Sequence, residues 1–552
     1  MKKVSHTKRK KSSKSSTGIR SFVIIGFSCA ATMFSHTTWA LVPTATVDVE
    51  LFLAGATAEK NLIPNLLGGF AAQTKYGFSY AAGTGLCQAG TLDFFYDSKS
   101  GSRAGYDYRA YSCTLTNNTA LLKNATQGWD YSTLAGKKIL IHYRMKNGSW
   151  YGTGPLARSQ SVTRMKIDGN CIQSRPANTG TTPAPVAVGA FPLANVYNTP
   201  SYICPTESTV SGVTTINNGQ LVTTNIPDVG IADNEPGIFV NKNAPNDGNA
   251  AANGNAIYDS AITADDLQNV STTPLFAFPL AIAATKKLVN ALQTAQGKAV
   301  TAAGTTVADT DRPSINFLQI SSLLTPNGGP LNQSWVSMGV GTSSTPVNIC
   351  RRISAVATQI TSNAAFGNYP CSSTGKAPST PDDSLTGKYR VIENDLIPDE
   401  RACLQGFNNG TNFSRGITST GAAITETVTS ADGNFAVGPL FIDNNPTSES
   451  ASWDFLAIDG INPTVPNVVN GTYRYINTAV INLNTYSDAA DPGTVKGQLT
   501  GLLIAKFQEP SLLAVQNGFL AIPESGYTSA SGGNVARGTN GGQTCKPVII
   551  TQ

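Results

Sequence analysis

The chain is poor in charge and in histidine. Charged side chains make up 13% of its 552 residues, against about 25% in an average soluble protein. Of its three histidines, only His142 lies beyond residue 40. The sequence contains no Gly-x-Ser-x-Gly, His-Glu-x-x-His or phosphate-loop motif. These absences argue against an enzyme, although a carboxylate pair could still act as acid and base.

The first 40 residues predict a cleaved export signal. Eight lysines and arginines at positions 2–20 precede the apolar stretch 22–34, and Thr38-Trp39-Ala40 fits a cleavage site after Ala40. Gly26-Phe27-Ser28 is a poor lipobox before Cys29, so we expect no lipid anchor. Export indicates a periplasmic, secreted or surface protein.

The positive charge of the chain belongs to that signal. Without its eight basic residues, 31 basic and 34 acidic residues remain, a net charge of about −3. This balance argues against nucleic acid or an anionic membrane as a partner. No later apolar run reaches the roughly 18–20 residues that span a bilayer.

Eight cysteines remain after cleavage, and none forms a Cys-x-x-Cys pair. This argues against zinc sites of that type, and we expect neither a metal nor a cofactor. An even number of cysteines in an exported chain indicates disulfides, so we expect no free thiol. Cys87–Cys113 and Cys171–Cys204 are plausible local bridges. The pairing of the other four is open: Cys350, Cys371, Cys403 and Cys545.

Apolar periodicity predicts an α/β fold. Strands alternating with helices favour parallel sheets and βαβ units. Gly- and Asn-rich stretches at about 84–134 and 173–227 read as insertions of loops and short strands that carry disulfides. Period-two alternation or short apolar runs predict strands at 47–53, 138–144, 228–236, 275–283, 435–442, 473–483 and 518–523. Helical spacing predicts helices after Thr57 and at 285–293, 499–507 and 510–517.

The segment 349–359 combines features of an anion site. Arg351 and Arg352 follow a predicted strand, and small residues lead to Thr358 at the start of a helix. Small residues admit a ligand to backbone N–H groups, a helix start favours negative charge, and an arginine fork suits an oxyanion. Arg352 is the candidate contact, and Arg351 a solvated or ion-paired neighbour. The alternative is a surface turn with two solvated arginines.

Five segments, taken in order, resemble those of type II periplasmic binding proteins, above all the phosphate-binding proteins of ABC transporters. Ala54-Gly55-Ala56-Thr57-Ala58 resembles the first anion loop of that family, and Asn147-Gly148-Ser149 the second. Gly230-Ile231-Ala232-Asp233 resembles its Ser-Asp turn, residues 351–358 its arginine segment, and residues 518–523 its closing strand.

The resemblance implies a two-lobed fold with mixed sheets flanked by helices. Lobe 1 would comprise 41–272, including the insertions, and 476–552; lobe 2 would comprise 273–475. It implies a monomeric, non-catalytic receptor for a phosphate-like oxyanion that works with an ABC permease. Asp233 would accept a proton from a ligand hydroxyl. The implied ligand contacts are Thr57, Ala58, Ser149, Asp233, Arg352 and Thr358.

Each of these residues also has a purely structural interpretation. Thr57 and Thr358 are natural helix N-caps, Ser149 suits a plain turn, and Asp233 suits a turn-capping acid. The chain also departs from the family, since Ala355-Val356-Ala357 replaces Gly-Ser-Gly and Ser354 stands where an aspartate often orients the arginine. A surface scaffold or adhesion protein with the same fold is therefore the alternative hypothesis, and a secreted hydrolase the third.

Overall fold

The computed structural model describes residues 46–68, 73–74, 77–78, 84–98, 105, 107–146, 148–175, 201–210, 213–216, 222–245, 261–325, 334–379, 387–417, 423–429, 433–514, 518–528 and 534–550. The predicted signal at 1–40 and Asn147 lie outside these residues. Where the chain is described, no helix is both long and apolar enough to cross a membrane.

The fold is mixed α/β, as predicted, and is built on one 13-stranded sheet. Its strands, numbered along the chain, are β1 Val49–Gly55, β2 Asp93–Asp97, β3 Tyr108–Thr114, β4 Lys138–Arg144, β5 Ile172–Arg175, β6 Ser201–Cys204, β7 Val229–Ala232, β8 Val270–Thr285, β9 Val347–Arg352, β10 Tyr389–Asn394, β11 Ala436–Phe441, β12 Trp453–Phe455 and β13 Ile476–Asn484. The order across the sheet is β5-β6-β2-β3-β4-β1-β7-β13-β8-β11-β9-β10, and β12 also pairs with β8.

Two groups of parallel strands lie on either side of β13 and β8. In the first, β1 pairs in parallel with β4 and β7; in the second, β9 pairs in parallel with β10 and β11. The first half of β8 pairs with β13 and its second half with β11, both antiparallel. Since β7 and β8 both run antiparallel to β13, they run in the same direction. The second group runs in the opposite direction, because β11 is antiparallel to the second half of β8 and β9 is parallel to β11. The two parallel groups thus point towards each other. Their carboxyl ends therefore face one another.

Helices flank this sheet. Those in the described residues are α1 Leu62–Gly68, α2 Thr119–Leu122, α3 Gly154–Ala157, α4 Ala264–Gln268, α5 Lys286–Ala295, α6 Phe317–Leu324, α7 Ala357–Gly367, α8 Ile397–Asn409, α9 Val465–Val469, α10 Val495–Phe507 and α11 Pro510–Leu513. Short two-stranded ribbons complete the fold, among them Val162–Met165 with Val222–Asn225 and Phe413–Ile417 with Ala423–Glu426. Apolar residues of β1, β4 and β7 are buried in the main core, as expected for parallel strands covered on both faces.

Four disulfides connect the eight cysteines. Cys87–Cys113 and Cys171–Cys204 confirm the predicted local bridges. The pairs that sequence left open are Cys350–Cys403, which joins β9 to α8, and Cys371–Cys545, which joins the segment after α7 to the C-terminal segment.

Two predicted elements differ from the structure. Residues 518–523 form no continuous strand, because Leu520 makes a single bridge to Ala277 and Ala521 a single bridge to Val535. The helix after Thr57 begins only at Leu62, behind a 3₁₀ turn at Ala58–Asn61. Pro64 lies in the first turn of this helix, where its missing N–H removes no hydrogen bond of the helix.

Candidate functional site

Four loops converge at the facing carboxyl ends of the parallel strands. They follow β1, β4, β7 and β9: the first three contain Thr57, Ser149 and Asp233 respectively, and Arg352 is the last residue of β9, directly before the fourth loop. In open α/β sheets, ligands bind at such strand ends. Of these strands, β4, β1 and β7 are neighbours in the sheet, whereas β9 belongs to the other parallel group, whose carboxyl ends face theirs.

Glycines allow the first three loops to pack tightly. Gly55 has a φ of +132°, and a Cβ there would lie 1.8 Å from the carbonyl oxygen of Ile231 on β7. A Cβ on Gly230 would lie 1.9 Å from the carbonyl oxygen of Gly152. Only glycine fits at such backbone approaches, so Ser149, in the 3₁₀ turn Ser149–Gly152, is held against β1 and β7.

Ser149 and Asp233 contact each other directly. The Ser149 hydroxyl donates to Asp233 Oδ2 at 3.0 Å, and the Asp233 backbone N–H donates to the same hydroxyl at 3.3 Å. Burial raises the pKa of Asp233 to about 6, although its hydrogen bonds and the nearby Arg352 charge lower it. The two residues therefore form a buried polar pair.

Glu59 is a second acid at this position and was not predicted. It is 0% exposed, and its Oε2 lies 3.4 Å from the Tyr143 hydroxyl. Burial raises the pKa of Glu59 well above its usual range, and the Asp233 charge raises it further. The sequence did contain a signal for Glu59: an acid that directly follows a buried strand and a small-residue turn lies at the strand end where ligands bind in open α/β sheets.

Arg352 supplies positive charge close to Asp233, but much of its guanidinium is bound within the protein. Nε donates to the carbonyl oxygen of Asn394 at 3.1 Å and Nη2 to that of Asp395 at 2.5 Å. Burial lowers the pKa of Arg352, whereas the buried Glu400 beside it acts in the opposite direction. Glu400, like Glu59, was not predicted; it lies in a polar stretch of the sequence.

Arg351 is ion-paired, as one sequence interpretation proposed. Its Nη2 lies 2.8 Å from Glu393 Oε1. The alternative of two solvated arginines is wrong, because Arg351 and Arg352 are both buried.

The start of α7 closes the site from the other side. Val356, not Thr358, occupies the N-cap position, and its side chain accepts no capping hydrogen bond. A Cβ on Gly148 would lie 3.2 Å from Val356 Cγ2, so the β4 loop and the α7 loop are in contact. Ala355 packs with Trp150 in one apolar cluster.

Thr358 carries a buried hydroxyl with no partner. The residue is 0% exposed, and its Oγ1 has no hydrogen-bond partner within the structure described. Thr358 lies one turn before Thr361, on the same face of α7, and Thr361 accepts a hydrogen bond from Asn234 at 3.1 Å. The unpartnered hydroxyl therefore lies on the side of α7 that faces the Asp233 turn, and the N-cap interpretation of Thr358 is wrong.

Thr57 and Ala58 start the first loop. Thr57 precedes the 3₁₀ turn, and its side chain makes no capping hydrogen bond. The expected capping role of Thr57 is therefore not realised. Their proposed ligand contacts remain predictions.

His142 has a structural role. Its Nε2 lies 2.8 Å from Glu50 Oε1, and its ring packs edge-on against Phe52. Burial lowers the pKa of His142. His142 is therefore a packed histidine of the sheet.

Comparisons with known proteins give weak structural similarities. No protein-family model and no curated protein sequence matches the chain. A substrate-binding protein assigned to a phosphate ABC transporter of Clostridium perfringens, solved with bound phosphate, aligns at TM-score 0.28 and 11% identity over 53% of this chain and 78% of that one. A phosphate transport receptor from Vibrio cholerae aligns at TM-score 0.26 and 14% identity over 50% and 74%. PstS from Borrelia burgdorferi aligns at TM-score 0.25 and 11% identity over 54% of this chain and 79% of that one. Similarities at this level carry no argument about function.

Proposed function

We propose that this chain is an exported, non-catalytic solute-binding protein that holds a small phosphate-like oxyanion between two lobes. The observation that carries the proposal is the unpartnered, buried Thr358 hydroxyl near the start of α7. The same helix contacts the turn after Asp233 through Thr361 and Asn234, and Asp233 in turn binds Ser149 and is under the influence of the Arg352 charge. Backbone N–H groups at a helix start, hydroxyls and a guanidinium are the donors that an oxyanion needs.

The lobes of this proposal meet at the facing strand ends. Residues 41–272 and 476–552 would form one lobe and 273–475 the other, with β8 and β13 running between them. Support comes from β8 itself, since its first half pairs with β13 and its second half with β11. Four disulfides support maturation in an oxidising compartment. An ABC permease is the proposed partner of the monomer.

Calorimetry on the mature chain tests this function. Inorganic phosphate at 100 times its Kd should raise the free energy of unfolding by about 2.7 kcal/mol. Thr358→Val should weaken phosphate binding about ten-fold, because a hydrogen bond to a charged ligand contributes about 1.5–3 kcal/mol. The same change should not destabilise the unliganded protein, since it removes a buried hydroxyl that has no partner.

Thr500→Val is the matched control. Thr500 is also a buried helical threonine, but its hydroxyl donates to the Lys496 carbonyl oxygen on α10. This variant should lose some stability and keep its phosphate affinity. The absence of any binding heat or thermal shift with millimolar phosphate, sulfate and carboxylates would favour the scaffold hypothesis.

A further inference from the structure

An apolar cluster crosses the boundary between the two proposed lobes. From the lobe that contains 41–272, it includes Trp150, Ile238 and Phe239; from the other lobe, it includes Ile360 on α7. Each of these four side chains is 1% exposed or less. Moving α7 away from the first lobe would bring their apolar surface into contact with water, which is unfavourable in proportion to the area exposed. The boundary is therefore built like a core at this point.

Hydrogen bonds cross the same boundary next to this cluster. Asn363 on α7 donates through Nδ2 to Asn243 Oδ1 at 2.8 Å, and the two residues are 4% and 0% exposed. Beyond the end of α7, the Tyr369 hydroxyl accepts from the Lys242 backbone N–H at 3.1 Å. These contacts fix the position of α7 along the segment that follows the Asp233 turn.

A disulfide closes the boundary covalently. Cys371 lies four residues after Gly367, the last residue of α7, and packs against the apolar cluster. It is bonded to Cys545, which belongs to 476–552, the returning part of the first lobe. Apolar, polar and covalent contacts thus all hold the helix that carries Thr358 against the opposite lobe.

We propose that α7 locks the two proposed lobes together, so that they stay in contact with or without ligand and an oxyanion exchanges without their separation. This inference rests on the proposed function. Hinge closure around a ligand is a common way to bind between two domains, and it needs an interface that separates at little cost. The α7 interface is buried and cross-linked instead. Release of the ligand is then limited by local movement of the loops, and the protein retains what it binds.

Small-angle X-ray scattering of the mature protein tests the lock. The unlocked variant combines Cys371→Ser, Cys545→Ser and Ile360→Ala. The wild type should have the same radius of gyration with and without millimolar inorganic phosphate. The unlocked variant should be larger without phosphate, and phosphate should return it to the wild-type radius, because a ligand held between the lobes favours their contact.

The matched control combines Cys171→Ser, Cys204→Ser and Ile392→Ala. It also loses one disulfide and one isoleucine that is 0% exposed. However, Cys171 and Cys204 both lie in the first proposed lobe, and Ile392 packs in a cluster whose buried members lie within 281–455 of the second. This variant should keep the wild-type radius of gyration in both conditions.

If the unlocked variant does not fold, deuterium exchange in the ligand-free wild type decides. Because the Lys242 amide donates across the boundary to Tyr369, it should exchange at least about ten-fold more slowly than in an unstructured chain. Exchange at the unstructured rate would show that the lobes separate freely and would overturn the lock.

The scattering outcomes separate this inference from the function on which it rests. A wild type that contracts when phosphate is added, or an unlocked variant as compact as the wild type without phosphate, would overturn the lock and leave oxyanion binding intact. If the wild type gives no binding heat with phosphate but the unlocked variant is expanded, the proposed function is wrong, whereas the contact between the lobes through α7 stands.

Discussion

At the scale of single residues, the site is marked by buried polar atoms that the protein leaves unpaired. More than about nine in ten buried polar groups in proteins have a partner, yet the Thr358 hydroxyl and one oxygen each of Glu59 and Asp233 have none in the described structure. Such atoms cost folding free energy unless a proton or a ligand satisfies them. These three atoms lie in the segments that follow the carboxyl ends of β1, β7 and β9.

Asp93 is a buried acid of a different kind, and it offers a test by stability. It lies on β2, away from the site, and neither carboxylate oxygen has a partner in the described structure. Burial raises its pKa to about 8, so the folded state binds this proton more tightly than the unfolded chain. That contribution is fully present below about pH 4 and is lost as pH rises to 8.

Asp93→Asn should therefore remove the loss of unfolding free energy that burial of Asp93 causes as pH rises from about 4 to 8. We expect the variant to match the wild type at pH 4 and to exceed its free energy of unfolding by at least about 2 kcal/mol at pH 7.5. Urea unfolding at the two pH values measures the difference. A difference that does not change with pH would mean that Asp93 titrates normally.

How far sequence could predict the site depends on what marks a residue. Ser149, Asp233 and Arg352 stand in recognisable turns after strands, and the structure brings them together. Glu59 follows a small-residue turn and Glu400 lies in a polar stretch, and neither setting marks its acid as buried. Only the fold shows that both are fully buried, because burial depends on distant parts of the chain.

At the scale of elements, the start of α7 departs most from a good anion loop. Ala355 has a φ of +64°, a left-handed conformation that glycine adopts without steric cost. Val356 provides no side-chain acceptor at the N-cap, and its Cγ2 fills the space next to Gly148. The loop before α7 therefore has a backbone conformation that suits glycine, whereas its side chains are apolar and pack against the β4 loop.

Replacing that loop tests whether it weakens the site. The triple change Ala355→Gly, Val356→Ser and Ala357→Gly should tighten phosphate binding about ten-fold or more, since it adds one hydroxyl donor and a freer backbone. Arg352→Ala in the same background should abolish the gain, whereas Arg351→Ala should not, because Arg351 is paired with Glu393. Calorimetry and urea unfolding are measured together. A folded triple variant with unchanged affinity would mean that the anion does not bind at this loop.

Element prediction succeeded where a strand carries its own pattern. The strand predicted at 138–144 matches β4 to the residue. Residues 275–283 were predicted correctly but cover only part of the 16-residue β8, whose polar first residues hide the pairing with β13. The strand predicted at 518–523 was wrong, because an apolar run does not show whether a neighbouring strand is available to pair with along its whole length.

At the scale of the whole molecule, the C-terminal segment 534–550 is bonded both to the segment after α7 and to the turn after Asp233. Cys545 is bonded to Cys371 after α7. The neighbouring Thr544 donates to Glu235 through its backbone N–H at 2.8 Å and accepts from Asn234 at 3.0 Å. Asn234 and Glu235 directly follow Asp233. The segment thus ties the Asp233 turn to the end of α7, across the boundary between the two proposed lobes.

Removing this brace should affect both stability and ligand exchange. Cys371 and Cys545 are 174 residues apart, so replacing both by serine should cost about 5 kcal/mol of unfolding free energy. Phosphate should also dissociate several-fold faster, because Thr544 is no longer held against the Asp233 turn.

Replacing Cys171 and Cys204 by serine is the control: that bridge spans 33 residues at the far edge of the sheet. The control should lose about 1–2 kcal/mol less and keep the wild-type dissociation rate. Urea unfolding and stopped-flow release of phosphate measure the two effects. Equal dissociation rates in both variants would show that the C-terminal segment stabilises the fold without controlling access to the site.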